Sequence, residues 1–275
     1  MADSVALSAG VRANLLTLQN TSDLIGRTQS RLSSGLKVNS ALDDASAFFT
    51  STALNNRASD LNTLKSDVDL SISTIEAAIN GIDAITDLVQ QAKGLANQAK
   101  ATGDTNEKST LAVQFNALLG QIDDIANDSS FNGSNLIQAT PDNLTVEFNE
   151  DGTSDLTITG LDSTTATTGI EVTAATNSFA DDAAINTSIT ELNSALTELR
   201  TNAATLGSNN TVLQTRLNFT EDLVNTLEIG ASKLVLADLN EESANLLALQ
   251  TREQLGINAL SLAAQSERSI LGLFG

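Results

Sequence analysis

Side chains that could perform chemistry are few in this chain, and their types exclude most catalytic sites. Its 275 residues include no His and no Cys, which removes imidazole bases, thiol nucleophiles and the usual zinc ligands. Adjacent carboxylates at Asp43-Asp44, Asp123-Asp124 and Glu241-Glu242 suggest metal pairs. However, neighbouring helical residues point about 100° apart, and no third ligand is evident. We therefore predict that these carboxylates lie in the first turns of helices or on solvated faces. We also expect no bound metal or cofactor and no enzymatic activity.

The elements that would have to position any site are long helices with a seven-residue repeat. Hydrophobic residues recur every seven positions in two series, which predicts helices whose apolar seams pack against other helices. The predicted core positions are Leu54, Leu61, Val68, Ile75, Ile82 and Val89 in the first series, and Leu192, Leu199, Leu206 and Leu213 in the second. By itself this periodicity favours a generic helical bundle or coiled coil.

Capping and turn signals set the limits of the first helices. Ser40 with Asp43 three residues later resembles a capping box, and a helix is predicted from there to about Lys100. Thr102-Gly103-Asp104 predicts a turn. A third helix follows and ends before Phe131-Asn132-Gly133.

The middle of the chain changes pattern after Pro141. Alternating hydrophobic residues on either side of a turn predict a β-hairpin over residues 144–158, and a short strand is expected at Ile170–Val172. Ser178 with Asp181 resembles a second helix start. That helix is predicted to end near Gly230, beyond which another continues towards Leu273.

Charge is distributed unevenly. The net charge is −20, with −3 over residues 1–108, −14 over 109–199, which hold no basic residue, and −3 over 200–275. Nucleic acid is disfavoured as a partner because phosphate binding needs clustered Lys and Arg. No window approaches a membrane span and no secretory signal is evident, so these criteria alone predict a soluble, cytoplasmic protein.

The terminal segments are predicted to pair with each other and to be covered by copies of the same chain. Residues 5–36 are marginal as a lone helix, so we expect them to be helical only when partnered. The predicted assembly residues are Val11, Leu15, Leu18, Ile25, Leu32, Leu36, Leu234, Leu255, Leu262 and Leu271.

The predicted fold is mainly α: a long antiparallel helical rod with heptad seams, a small β-hairpin insert, and paired N- and C-terminal helices. Residues 1–38 with 231–275 form the terminal arm, and residues 39–140 with 179–230 form the rod. Residues 141–178 form the hairpin and acidic loop.

Two blocks of sequence resemble the bacterial flagellins, in a short form without large outer domains. The N-terminal block is Arg31-Leu32-Ser33-Ser34-Gly35-Leu36-Lys37-Val38-Asn39-Ser40-Ala41 with Asp43-Asp44-Ala45. The C-terminal block is Gln250-Thr251-Arg252, Leu262-Ala263-Ala264-Gln265 and Ile270-Leu271-Gly272-Leu273-Phe274, with Ala264 where the family more often has Asn.

This resemblance implies a structural subunit that self-assembles into the extracellular flagellar filament. It implies an inner tube of terminal helices and an outer tube of the rod. It further implies export by the flagellar type III apparatus with an export chaperone, and contacts with filament cap and junction proteins. The alternatives are a hook–filament junction protein and a cytoplasmic coiled-coil binding protein.

The resemblance also bears on host recognition. Family members sensed by the Toll-like flagellin receptor resemble Arg-Val-Arg-Glu-Leu-Ala-Val-Gln at the stretch that here spans residues 91–98. In this candidate receptor region Gln91 replaces the first Arg, Lys93 replaces the second, and Leu95 and Gln98 match. The Glu is also lost. Because charge-assisted contacts are lost, we expect weak or absent receptor activation.

Overall fold

The computed structural model describes the backbone of residues 9–274, and the side chains of that range except at 267 and 270–274. Within this range the chain forms five α-helices and one two-stranded sheet. In chain order the elements are α1 Ala9–Ser34, α2 Ala45–Ala101, α3 Thr105–Asp128, β1 Leu144–Glu147, β2 Asp155–Ile158, a 3₁₀ turn Thr176–Phe179, α4 Asp182–Val235 and α5 Leu239–Phe274. The prediction of a mainly α fold with a small hairpin and paired terminal helices is confirmed.

The chain divides into two compact units. One comprises residues 1–56 with 226–275, and the other comprises residues 57–225. In the first unit α1 packs against α5. Helix α1 ends where Gly35 takes a φ of 71°, a left-handed conformation that costs glycine little. Leu36 then forms an antiparallel bridge with Leu236, which joins the chain segments that follow α1 and α4.

Helix α4 runs further than the sequence indicated. The prediction of a helix end near Gly230 is wrong, because α4 continues through this residue to Val235. Glycine in a helix costs only about 1 kcal/mol, and a Cβ at Gly230 would lie 3.7 Å from Leu54 Cδ1, so α2 packs close beside it. Helix α5 starts after Asp238, whose Oδ1 accepts a hydrogen bond from the amide of Asn240 at 2.9 Å.

The second unit is built on α2, α3 and α4, whose apolar faces meet in one hydrophobic cluster. Lys65 Nζ of α2 lies 3.6 Å from Glu221 Oε1 near the far end of α4, whereas the charge of Lys100 acts on Asp182 at the start of α4. The two helices therefore run antiparallel, as predicted. The acidic loop reaches the same core through Phe179, whose ring packs edge-on against Phe115 with centroids 5.1 Å apart.

The predicted hairpin is present and the predicted strand after it is not. Strands β1 and β2 pair in antiparallel register from Leu144 opposite Ile158 to Glu147 opposite Asp155. Residues 170–172 form no strand. Their outer residues are buried like those of a strand, but Glu171 between them has a φ of 46°, so the chain turns there.

Candidate assembly surfaces

The heptad residues predicted for the core lie inside the second unit, with one exception. Leu54 is half-buried and belongs to the first unit. The others are buried: Leu61, Val68, Ile75, Ile82, Val89, Leu192, Leu199, Leu206 and Leu213. Burying a Leu, Ile or Val side chain is worth about 1.5–3 kcal/mol, so these residues can stabilise the bundle without any contribution from another copy.

The face of α1 that packs on α5 carries four of the predicted assembly residues. Val11 is buried, and Leu18, Ile25 and Leu32 are half-buried. Leu15, another of the predicted assembly residues, is 40% exposed in the single chain. The neighbouring buried positions are occupied by threonines, Thr21 and Thr28, and no motif in the sequence indicated this. Thr21 Oγ1 donates to the carbonyl of Thr17 at 2.8 Å, so its hydroxyl is satisfied within the helix.

The face of α5 that packs on α1 is one residue out of step with the predicted series. Seven-residue steps carried on from Leu234 reach Leu255 and Leu262, which are 63% and 73% exposed. The half-buried positions instead include Leu249 and Gly256, each one residue after one of those steps. The chain leaves the helical conformation between α4 and α5, so the register restarts at α5.

Large hydrophobic side chains therefore remain exposed on both terminal helices. On α1 they are Leu15, Leu16 and Leu24, and on α5 they are Leu239, Leu247, Leu255, Ile257 and Leu262. Leu36, which follows α1, and Leu234, in the last turn of α4, are half-buried, and the side chain of Leu271 lies outside the described residues. Exposed apolar residues gathered on one pair of helices are typical of a surface that contacts another protein.

The candidate receptor region borders a groove between α2 and α3. Gln91, Leu95 and Gln98 line it together with residues of α3 that include Gln114 and Leu118. Lys93 is half-buried and is not among the lining residues. The groove thus presents amides beside an apolar floor, and its α2 side contributes no charged side chain to it.

The adjacent carboxylates have structural partners. Asp44 Oδ1 accepts from the amide of Ala47 at 3.0 Å and caps α2. Asp43 accepts from the amides of Asn39 and Ser40 at 3.1 and 3.0 Å, and these bonds hold its pKa below its ordinary value. The capping residue is thus Asp44, four residues after the predicted Ser40, and Asp43 stabilises the turn that precedes the helix.

The other two pairs also have partners within the chain. Asp123 Oδ1 accepts from the amide of Thr165 at 2.7 Å, and the hydroxyl of Thr165 donates to the same carboxylate, lying 3.0 Å from both of its oxygens. Glu242 pairs with Arg31 at 3.0 Å. Within the described residues no three carboxylates gather in a way that could hold a metal ion, and no described helix is long and apolar enough to cross a membrane.

A long-range ion pair also joins the start of α4 to α3. Asp181 caps the helix by accepting from the amide of Ala183 at 3.0 Å, whereas Ser178 of the predicted box lies in the preceding turn with a φ of 51°. Lys108 Nζ of α3 donates to Asp182 Oδ1 at 2.7 Å. This hydrogen bond and the positive charge of the same ammonium group lower the pKa of Asp182.

Two family models match this architecture of helical segments on either side of a hairpin. The model of the bacterial flagellin N-terminal helical region matches residues 9–142, and that of the C-terminal helical region matches residues 189–274. The chain belongs to the bacterial flagellin family. It is a structural subunit of the flagellar filament, which lies outside the cell and serves motility.

Individual flagellins match over nearly their whole length. Flagellin FljM of Caulobacter vibrioides is 35% identical over 276 residues, covering 99% of this chain and 98% of that protein. A flagellin of Brucella melitensis is 29% identical and covers 98% of this chain and 99% of that protein. The crystal structure of Bacillus cereus flagellin superposes on 56% of this chain and 88% of its own, with a TM-score of 0.49 and 21% identity. The resemblance found in the sequence is confirmed by the family models and the full-length relatives.

Proposed function

We propose that this flagellin polymerises through the exposed faces of α1 and α5, which neighbouring copies cover in the filament. The observation that carries the proposal is the set of exposed leucines on these two helices. Leu247, Leu255 and Leu262 are 63–73% exposed in the single chain, so each has apolar area left to bury. At about 1.5–3 kcal/mol for a fully buried Leu, several such residues per copy stabilise a polymer while the single chain stays soluble.

The predicted division of the chain follows from this proposal. Residues 1–38 with 231–275 would form the inner tube of the filament. Residues 39–140 with 179–230 would form the outer tube, with the hairpin and acidic loop at 141–178 as part of it. Val11 is already buried in the single chain, so the gain on assembly falls on Leu15, Leu255 and Leu262, and less on Leu18 and Ile25.

A variant of α5 tests the assembly surface. Leu255→Asp places a charge on a residue that is 63% exposed, so the single chain should keep its helical content. Elongation of short filament seeds, followed by negative-stain microscopy, should give long filaments from the natural sequence and none from the variant. Asn258→Asp, on the same exposed stretch of α5, adds the same charge without removing apolar area and should still assemble. Normal filaments from Leu255→Asp would refute the proposed surface.

We also propose the partners that the family resemblance implied: an export chaperone, the type III export apparatus, and the cap and junction proteins. A non-catalytic role is supported by the absence of His and Cys and by the structural engagement of all three carboxylate pairs. Co-purification of the chain with each flagellar component from cells that export it would test these contacts individually.

Weak activation of the Toll-like flagellin receptor is a further part of the proposal. The groove beside Leu95 offers amides where charged side chains would give stronger, charge-assisted hydrogen bonds. In a reporter-cell assay the monomer should be much less potent than a flagellin that carries the charged stretch. Gln91→Arg should raise its potency, whereas Gln121→Arg, at an exposed site elsewhere on α3, should not. Equal potency of the natural chain and the charged flagellin would contradict this part.

A further inference from the structure

A cleft in the first unit gathers three arginines around a single carboxylate. Arg27 and Arg31 of α1 and Arg252 of α5 line it, together with Glu242 and Asn245 of α5. Its volume is about 300 Å³, which is large enough for a side chain from another molecule. Thr28 and three apolar residues complete the lining, and Leu24, Ala248 and Leu249 give it an apolar floor.

The charges within this cleft do not balance. Arg31 Nη1 lies 3.0 Å from Glu242 Oε1, and Glu242 is only 7% exposed. The charge of this buried carboxylate is therefore compensated by Arg31 of the same chain. Among the described residues no carboxylate lies within 4.0 Å of Arg27 or Arg252. A guanidinium group stays charged at all relevant pH values. Arg27 and Arg252 therefore line the cleft without a direct ion pair among the described residues, although Asp23, one turn before Arg27, borders an adjoining pocket with it.

This imbalance matters because of where the cleft lies. It is formed by α1 and α5, the helices that neighbouring copies are proposed to cover. Removing an arginine from water is costly unless it gains a carboxylate and hydrogen bonds in return. A polymer that covered Arg27 and Arg252 without supplying acceptors would be destabilised by them.

We propose that the cleft receives a carboxylate side chain from a second copy of this chain, which Arg27 and Arg252 bind. The inference rests on the proposed assembly function and names a specific contact within it. Charge complementarity identifies the occupant, because each copy carries 34 acidic and 14 basic residues and offers carboxylates in excess. Asp23 and Glu241 are exposed on the first unit, and neither has an ion-pair partner among the described residues.

Seeded elongation of the double variant Arg27→Gln with Arg252→Gln tests the contact. Each substitution removes a charge but keeps most of the side chain and its hydrogen-bonding capacity. Because a hydrogen bond to a charged group contributes about 1.5–3 kcal/mol, the critical concentration for elongation should rise at least about tenfold. Arg27→Lys with Arg252→Lys keeps the charges but not the planar fork, so its critical concentration should fall between those of the natural chain and the Gln variant.

A matched control removes the same net charge from the same two helices. Arg12 of α1 and Arg268 of α5 are exposed and do not line the cleft, so Arg12→Gln with Arg268→Gln should assemble at the concentration of the natural chain. Circular dichroism of each monomer checks that helix content is unchanged. Raised ionic strength should weaken elongation of the natural chain more than that of the Gln cleft variant.

Three results would overturn the assignment. One is an unchanged critical concentration for the Gln cleft variant. Another is an equal rise for the cleft and control variants, which would indicate a general charge effect. The third is phosphate binding to the cleft of the monomer, measured by calorimetry, with elongation unaffected by the substitutions, which would indicate a small-anion site. Failure of the natural chain itself to elongate seeds would overturn the assembly proposal and this contact together.

Discussion

Leu18 of α1 packs against the backbone of α5 at Gly256, where no side chain separates the two helices. A Cβ on Gly256 would lie 3.2 Å from Leu18 Cγ and 3.5 Å from its Cδ1, which is at the limit of normal packing. This glycine therefore sets how closely the terminal helices approach each other. The helices in turn determine which leucines face outward.

Gly256→Val should separate α1 from α5, because two further methyl groups have no space beside Leu18. Overpacking of this kind costs about 1–3 kcal/mol. We expect faster proteolysis of residues 9–34 in the monomer and a higher critical concentration for filament growth. Gly26→Ala is the control, since a Cβ there meets nothing within 4 Å. Wild-type protease resistance in Gly256→Val would show that the contact does not govern the pairing.

Gly81 has the equivalent role in the second unit. A Cβ on this α2 residue would lie 2.7 Å from Ile137 Cδ1 and 2.8 Å from Ser129 Cβ, so the loop after α3 crosses directly over it. Gly81→Ala should lower the free energy of unfolding by about 1–3 kcal/mol. Gly94→Ala, where a Cβ meets no atom, should raise it by about 0.5–1 kcal/mol. Urea denaturation of both variants measures the difference, and equal midpoints would refute the close approach.

Asn135 joins the end of α3 to the segment that leads into the hairpin. It is 3% exposed. Its side-chain amide donates to the carbonyls of Ala126 and Asn127 at 2.9 Å, and its Oδ1 accepts from the amide of Ile137 at 2.9 Å. No repeat or motif in the sequence indicated this role.

Asn135→Ala should destabilise the second unit by several kcal/mol, since each buried group left without a partner costs about 1–3 kcal/mol. Amide hydrogen exchange should speed up over residues 126–138 in particular. Asn97→Ala provides the comparison, because that side chain is exposed and bonds only its own helix. A substitution of that kind should change stability by no more than about 0.5 kcal/mol. Similar unfolding midpoints for the two variants would disprove the structural role of Asn135.

Acid should weaken the contact between α3 and α4 through Asp182. Its pKa is lowered from an ordinary value of 3.8 by the hydrogen bond from Lys108. A lowered carboxyl pKa stabilises the folded state fully above the ordinary value, and this stabilisation is lost as the pH falls through the folded value. The natural chain should therefore be more stable than Asp182→Asn at pH 7. This difference in stability should disappear as the pH falls below 3.8.

Thermal unfolding of the natural chain and Asp182→Asn between pH 7 and pH 2.5 measures this difference in stability. Asp151→Asn, at an exposed residue of the hairpin turn, removes the same charge away from Lys108 and serves as the control. If the difference in stability between the natural chain and Asp182→Asn stayed constant over this pH range, the ion pair would contribute no pH-dependent stability.

Much of the fold could be predicted because it is determined by local periodicity. Seven-residue steps placed Val68, Ile75 and Ile82 on one face of a helix, and that face is buried in the structure. Alternation around a two-residue turn signal predicted the hairpin. The predicted strand at Ile170–Val172 was wrong because a left-handed residue between two buried ones leaves the same alternation as a strand.

The sequence by itself determined the family, the helical seams and the hairpin, since periodic hydrophobicity and short motifs act within one helix or turn. Only the tertiary structure decided which positions of α1 and α5 face each other. Thr21 and Gly256 lie between the two helices, whereas Leu255 remains outside. The physical reason is that the approach of two helices depends on the smallest side chains between them and on where the chain breaks at residues 236–238. Neither is encoded in the repeat of a single helix.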